Sequence, residues 1–311
     1  GGILPEETQR EIIARNVGVS AKNDFALLEQ IGGECAGAIT FIASGEDLED
    51  QESEYRPLSD AQLAATLREL PVRPLMAGQD GVRLSLAGAQ NKMAVRVDDG
   101  RFSIPLGGAP STHILKPANK TFEGLVFNEA TCMRLAQAIG LNTAQVSIGR
   151  VDDIDYLLVE RYDRQQDSTK IIRLHQEDFC QALGILSDYK YQSEGGPSLA
   201  QSFELVRQVS SAPVLDLQVL LDAVIFNLVI GNHDAHGKNF SLLYEGNMTR
   251  LAPLYDLVST VYYPEISKKM AMKLGGEYAS DSILARHFDH FAEETNLSKQ
   301  LVKKRVLEVL D

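Results

Sequence analysis

Gly231-Asn232-His233-Asp234-Ala235-His236-Gly237-Lys238-Asn239-Phe240 is the stretch whose reading decides the fold. It follows an apolar, helix-patterned run from Asp216 to Ile230 and sets an aspartate five residues before an asparagine. In kinase chemistry that spacing pairs a base that takes a hydroxyl proton with an asparagine that holds magnesium. Downstream, Leu254-Tyr255-Asp256-Leu257 supplies a further acid where the main metal aspartate belongs. Asp234 is therefore the candidate catalytic base, and Asn239 and Asp256 are candidate metal ligands. Magnesium prefers hard oxygen donors, commonly one or two carboxylates beside substrate phosphates. Lys238 and Tyr255 join the candidate nucleotide contacts. Lys238 would neutralise the transferring phosphate; a solvated loop lysine is the alternative.

His233-Asp234 is also the doublet of a class of metal phosphohydrolases. Those enzymes carry it within a helix and need another histidine upstream. Here Gly231 and Gly237 bracket the doublet, which suits a loop, and the upstream histidines His113 and His175 lack a metal-site context. His233 and His236 read as loop-shaping residues.

Outward from the loop, residues 176–311 carry helical patterns: Asp178 to Leu186, Ser198 to Val209, Asp216 to Ile230, Ser282 to Glu294 and Ser298 to Leu310. The preceding hundred residues read as strands. Met93, Val95 and Val97 alternate along Lys92 to Val97, Asp99-Gly100 is a hairpin turn into Arg101 to Ile104, and His113 to Lys116 stops at Pro117. Asn128 to Ile139 is helical, and Gln145 to Gly149, Tyr156 to Arg161 and Lys170 to Leu174 are strand-like. Near the start, helices are expected from Pro5, over Asp24 to Ile31, and from the capping box Ser59-x-x-Gln62 to before Pro71, with a strand over Ala36 to Ile42. Glu46 to Glu54 holds six acids in nine residues and reads as a solvated loop rather than a calcium site.

This order predicts an α+β, two-lobed, protein-kinase-like fold. It has a mixed α/β N-terminal lobe and an all-helical C-terminal lobe. The expected divisions are 1–75, an incomplete α/β subdomain; 76–175, a β-rich ATP-binding part; and 176–311, a helical lobe.

The β-rich part offers the remaining phosphate-handling candidates. Ala87-Gly88-Ala89-Gln90 is a turn of small residues whose backbone N–H groups could approach phosphate, although from the residues alone a plain hairpin connection is the favoured reading. Lys116, at a strand end, could reach the α and β phosphates; a solvated lysine is the alternative. Glu129 on the next helix could orient it, or serve its own helix start. Glu160-Arg161-Tyr162, where a buried strand turns polar, could present backbone to adenine. Ser85 alone reads as an ordinary strand-end serine.

Composition narrows the partners. The 311 residues carry a net charge of −13, which disfavours a broad nucleic-acid footprint. Cys35, Cys132 and Cys180 have no paired spacing and suit buried, reduced thiols. No apolar stretch is long enough to span a bilayer, and a cytoplasmic location without membrane contact is expected.

Arg83 to Lys92, Thr112 to Lys116, Val159 to Arg164, Gln176-Glu177-Asp178, Lys190-Tyr191 with Gly195-Gly196-Pro197, and the 231–240 loop together resemble the HipA family of bacterial serine/threonine-protein kinase toxins. The resemblance covers most of the chain. It implies ATP and Mg2+ as cofactors, Asp234 as base, Asn239 and Asp256 on magnesium, Lys116 on the phosphates and Glu160 to Tyr162 as adenine hinge. It implies Ser85 as a regulatory autophosphorylation site, where phosphate would compete with ATP for donors or expel the turn. It further implies a translation factor of the aminoacyl-tRNA synthetase class as substrate. The implied partner is a helix-turn-helix antitoxin, through which nucleic acid is met only indirectly. The family commonly carries a small domain upstream, so the chain is expected to be a fragment or to have that part supplied separately. Two other functions fit the same scaffold: a weakly catalytic binding module acting with the antitoxin, and a small-molecule kinase.

Overall fold

The computed structural model describes residues 2–42, 44–45, 54–88, 90–167 and 170–310. The chain divides into two units, 1–127 with 145–175, and 128–144 with 176–311. Residues 128–144, which sequence order placed with the first half, group with the second.

The first unit opens with α1 (Glu7–Asn16) and α2 (Asp24–Ile31). Asn23 caps α2 by accepting the Ala26 N–H, and α2 buries Leu27 and Ile31. After β1 (Tyr55–Leu58), α3 (Asp60–Glu69) starts on the expected capping box, with Ser59 and Gln62 each satisfying the other's backbone. Its Leu63, Ala64 and Leu67 enter the core. Then come β2 (Met93–Asp98), β3 (Arg101–Pro105) and β4 (His113–Pro117). The helix α4 (Leu125–Ala138) carries the chain across the division, and β5 (Val146–Val151) and β6 (Ile154–Glu160) bring it back. The short hairpin β7 (Arg164–Gln166) and β8 (Ile171–Arg173) closes the unit.

Six strands form one sheet in the order β1-β3-β2-β4-β6-β5. Asp99 and Gly100 turn with φ of 47° and 75°, the left-handed pair a tight hairpin needs. Met93, Ala94 and Val95 are all fully buried, so interior β2 is covered on both faces over its first half. Leu63, Leu67, Met93, Val95, Leu115 and Tyr156 share one core. Burying each large apolar side chain stabilises by about 1.5–3 kcal/mol.

In the second unit, β9 (His175–Asp178) begins at the division and leads into the single turn α5 (Phe179–Ala182). The helices α6 (Leu199–Val209) and α7 (Pro213–Val229) follow. Proline suits the first turn of α7 because that N–H lacks an intrahelical partner anyway. Next come β10 (Ser241–Glu245), β11 (Met248–Leu251), β12 (Lys269–Leu274) and β13 (Glu277–Ala279), then α8 (Ala285–Glu294) and α9 (Lys299–Leu310). The helix α7 packs on α6 and α9. Strands β11-β10-β9 form one sheet and β12-β13 another.

The structure corrects several expectations. The C-terminal part is not all-helical. A Gly246-Asn247 pair turns β10 into β11, and its flanking apolar residues are the hairpin signal the reading passed over. Ala36 to Ile42 is not a strand; just before it, Glu34 makes an isolated parallel bridge to Leu84. The expected helix Asp178 to Leu186 shrinks to α5, because Gly184 turns left-handed at φ 69°. Between the strand-like stretches Tyr156 to Arg161 and Lys170 to Leu174, Arg164–Gln166 adds the short strand β7. Most of the acid run, residues 46–53, lies outside the described residues. Cys35, Cys132 and Cys180 are buried and form no disulfide. No helix among the described residues is long and apolar enough to cross a membrane.

Candidate active site

The 231–240 loop exists because α7 is stopped abruptly. Gly231 takes φ 66°, and a Cβ there would lie 2.5 Å from Val261 Cγ2, so both backbone and space require glycine. The Asn232 N–H returns to Asn227 O at 2.8 Å, and the Asn232 amide donates to Asn227 Oδ1 at 2.8 Å. Asn232 Oδ1 in turn accepts the Asp234 N–H at 3.1 Å. His233 is pinned from three sides. Its N–H reaches Thr260 Oγ1 at 2.8 Å, its carbonyl accepts the Ala271 N–H at 2.7 Å, and its Nε2 lies 2.7 Å from Ser280 Oγ. The His-Asp doublet thus sits in a loop, and His233 is a loop-shaping residue, as expected. Among the described residues no group of three or more His, Cys, Asp or Glu is arranged to hold a metal ion.

Asp234 is half-buried, and its Oδ1 accepts the Tyr191 hydroxyl at 2.7 Å. Asn239 Nδ2 donates to Asp256 Oδ2 at 3.0 Å, so the two expected metal ligands meet directly. Asn239 Oδ1 accepts the His236 N–H at 3.2 Å, which fixes the amide's orientation. Asp256 adopts φ 59°, a left-handed conformation that costs a non-glycine residue energy and is found preferentially where function demands it. Carboxylate and amide oxygens at adjoining positions are the donor set that suits magnesium in kind.

Two expected nucleotide contacts in this unit have other partners. Lys238 is 8% exposed and its ammonium pairs with Asp178 Oδ2 at 3.7 Å. Tyr255 donates its hydroxyl to Lys238 O at 2.6 Å and meets Ser241 Oγ at 2.7 Å, stapling the loop to β10. Both positions anchor the loop; a buried ammonium stays where an anion holds it.

In the first unit, Ser85 is fully buried and donates to Ile3 O at 2.8 Å. Its N–H bonds to Glu34 O at 2.9 Å. It follows the isolated Glu34–Leu84 bridge and is held by backbone on both its N–H and its hydroxyl. The turn at Ala87, Gly88 and Gln90 is half-buried, and Lys92 Nζ folds back onto Ala87 O at 2.7 Å. Ala89 lies outside the described residues. Lys116 is 8% exposed on β4, between β2 and β6. Glu129, on α4, is 2% exposed and belongs to the second unit.

The Arg161 side chain is taken up by acids of its own unit. It is buried, donating from Nε and Nη2 to Asp163 at 2.9 and 2.7 Å and from Nη1 to Glu34 Oε1 at 3.0 Å. The Glu160 and Arg161 N–H groups go to Gln145 O and Thr112 O at 2.8 and 3.0 Å. The Arg161 guanidinium therefore serves the fold. Tyr162 is half-buried and Glu160 exposed.

Sequence reading missed the cluster that holds Arg161. Glu34 also accepts from Arg164 at 2.8 Å, from Arg173 at 2.7 Å and from the Ser111 hydroxyl at 2.8 Å. Burial pushes the Glu34 and Asp163 carboxyls up, but the surrounding guanidinium groups outweigh it: Glu34 ends lowered, and Asp163 falls to about 2. Glu34 is 127 positions from Arg161, so no local pattern announces the pair. Burial beside Glu34 also raises the Cys35 thiol to about 12, which makes it inert.

With this geometry in view, comparison with known proteins is informative. The HipA-like C-terminal domain matches residues 84–311, and the HipA N-terminal domain matches residues 1–42. The serine/threonine-protein kinase toxin HipA of Shewanella oneidensis is 33% identical over 313 residues, 96% of this chain and 71% of that protein. Y4mE of Sinorhizobium fredii, named as a kinase candidate, is 48% identical over 318 residues, covering 100% of this chain and 75% of that protein. A solved structure of Shewanella oneidensis MR-1 HipA with HipB and its operator DNA superposes with a TM-score of 0.87 at 32% identity, covering 99% of this chain and 74% of that one.

Proposed function

We propose a residue-level mechanism on the premise that this chain belongs to the HipA family of serine/threonine-protein kinase toxins. The reaction moves the γ-phosphoryl group of ATP to a serine or threonine hydroxyl of a protein. The hydroxyl oxygen forms the new P–O bond, the bond to the β-phosphate oxygen breaks, ADP leaves, and the hydroxyl proton passes to Asp234. The observation that carries this reading is Asp234 held in a loop five residues before Asn239, with Asn239 bonded to Asp256 at 3.0 Å.

Asn239 and Asp256 would hold Mg2+, which when bound offsets charge on the phosphate oxygens. The chain's own contribution is positioning, which dominates catalysis of this reaction. The Asn232 and His233 contacts fix the loop backbone, and Asp234 stays accessible enough to meet a hydroxyl. On the first unit, Lys116 is the proposed phosphate lysine. Backbone N–H groups at Ala87, Gly88 and Gln90 are proposed as phosphate donors, and the backbone at Glu160 to Tyr162 as the adenine contact.

Ser85 is the proposed autophosphorylation site. A phosphate cannot stay where the hydroxyl is fully buried, so modification there requires Ser85 to leave its contacts with Ile3 and Glu34. The resemblance and the HipB complex of the Shewanella oneidensis relative support a helix-turn-helix antitoxin as partner. A translation component such as an aminoacyl-tRNA synthetase is the proposed substrate.

Asp234→Asn tests the reading. Removing a general base costs about a hundred- to ten-thousand-fold. Transfer from γ-labelled ATP should fall by that factor while the melting temperature holds. Transfer at the parental rate would falsify the assignment of the base.

A further inference from the structure

The Lys190-Tyr191 and Gly195-Gly196-Pro197 motifs have no part in the mechanism above, yet they wrap the loop that carries Asp234. We infer that Tyr191 is a positioning residue for phosphoryl transfer, its hydroxyl holding the Asp234 carboxylate in working orientation. The inference rests on Asp234 being the base.

Three contacts join this segment to the loop. Tyr191 donates its hydroxyl to Asp234 Oδ1 at 2.7 Å. Its ring meets His236 edge-on, centroids 5.4 Å apart and planes at 79°. Pro197 packs so closely on Gly237 that a Cβ there would lie 2.6 Å from Pro197 Cγ.

The segment is itself braced. The Glu194 and Gly196 N–H groups both return to Tyr191 O, at 2.9 and 2.8 Å. Gly195 turns at φ 102°, and a Cβ on Gly196 would lie 2.6 Å from Tyr189 O. These glycines let the chain fold back tightly behind Tyr191. Gln192 Oε1 accepts the Lys273 N–H of β12 at 2.7 Å, and Lys190 Nζ stands 5.5 Å above the Tyr191 ring. Tyr191 is thus fixed from behind, from its face and from its edge, and its hydroxyl ends on the base.

The chemical consequence follows from the carboxylate. An aspartate free to turn about its side-chain bonds would have to be ordered in each catalytic cycle. A hydrogen bond to a charged oxygen is among the stronger ones available and orders it beforehand. With Oδ1 engaged by Tyr191, Oδ2 is the oxygen offered to an acceptor hydroxyl. The interaction acts on the rate of transfer and not on nucleotide affinity.

Tyr191→Phe removes one oxygen and keeps the ring on His236. Losing a hydrogen bond to a charged group is worth on the order of tenfold or more in rate if the bond acts in the transition state. Label incorporation from γ-labelled ATP into the chain itself and into casein is measured over a range of Mg-ATP, with the melting temperature of each protein. The maximal rate of Tyr191→Phe should fall about tenfold. Its KM for Mg-ATP should stay unchanged. A parental maximal rate, or a loss carried wholly by KM, overturns the inference.

If Tyr191→Phe melts early, 3-fluorotyrosine at the same position keeps the whole side chain while strengthening the donor. A maximal rate indifferent to that change then overturns the inference. Asp234→Asn run in parallel separates the two ideas. If that variant is inactive and Tyr191→Phe is unaffected, only the positioning role fails. If Asp234→Asn transfers at the parental rate, the base assignment fails first, whatever Tyr191→Phe does. In the Asp234→Asn background Tyr191→Phe should change the residual rate no further, because the two act as one unit.

Discussion

The ionic cluster around Glu34 in the first unit and the loop around Asp234 in the second use similar side chains to opposite ends. Glu34 and Asp163 sit with their side chains 1% and 3% exposed, surrounded by the guanidinium groups of Arg161, Arg164 and Arg173. Their oxygens are engaged by structural donors. Asp234 and Asp256 are half-buried; Asp234 accepts the neutral Tyr191 hydroxyl, and Asp256 accepts the neutral Asn239 amide. Neutral donors orient a carboxylate without cancelling its charge. The difference teaches that burial of charge marks architecture here, and that partial exposure with neutral support marks chemistry.

The sharpest way to break this contrast is to remove one carboxylate from each region. Glu34→Ala strips Arg173 of its ion pair and leaves Arg161 and Arg164 facing Asp163, and should destabilise the protein by about 3–5 kcal/mol. Chemical unfolding followed by circular dichroism would read this. Asp234→Asn should leave the unfolding midpoint within about 0.5 kcal/mol of the parent while removing transfer. Equal losses of stability in both variants would dissolve the distinction.

Acid sharpens the comparison next. Asp163 titrates near 2 when folded against an ordinary 3.8, so the unfolded chain binds its proton first as pH falls. Its stabilising contribution is complete above about pH 4 and disappears as pH drops through about 2. Melting temperatures of the parent should therefore fall over that window, and Asp163→Asn should flatten the part of the fall that Asp163 contributes. An unchanged slope would remove Asp163 from the account.

The smallest expected effect lies away from both regions. Ser59→Ala deletes the capping hydroxyl of α3 and should cost about 1 kcal/mol with no change in transfer rate. Denaturant titration and a transfer assay on the same protein check both halves.

Local structure was legible wherever neighbours in sequence decide the outcome. Asn23 before Asp24, Ser59 with Gln62, and Asp99-Gly100 each satisfy their own backbone, and the helix or turn follows at the expected residues. The 231–240 loop was legible for the same reason, since Gly231 ends α7 within the chain's own backbone. Ala36 to Ile42 has strand composition but no partner strand among the described residues, and strand composition without pairing leaves irregular chain. Asp178 to Leu186 reads as helix, yet Gly184 and packing cut it to one turn. Lys238 and Tyr255 have the right types to touch nucleotide; the fold also sets them beside Asp178 and Ser241, contacts no local spacing announces.

By itself the sequence determined the order of chemical parts: a loop with Asp234 and Asn239, then Asp256, behind a strand-rich half bearing Lys116. It determined these because short-range backbone geometry and residue type travel with the chain. Only the tertiary structure decided which charges meet. It brought Glu34 to Arg161 across 127 positions, turned Arg161 inward, buried Ser85 under Ile3 and laid Tyr191 on Asp234. Long-range pairing depends on which surfaces the folded chain closes over one another, and no local spacing encodes that.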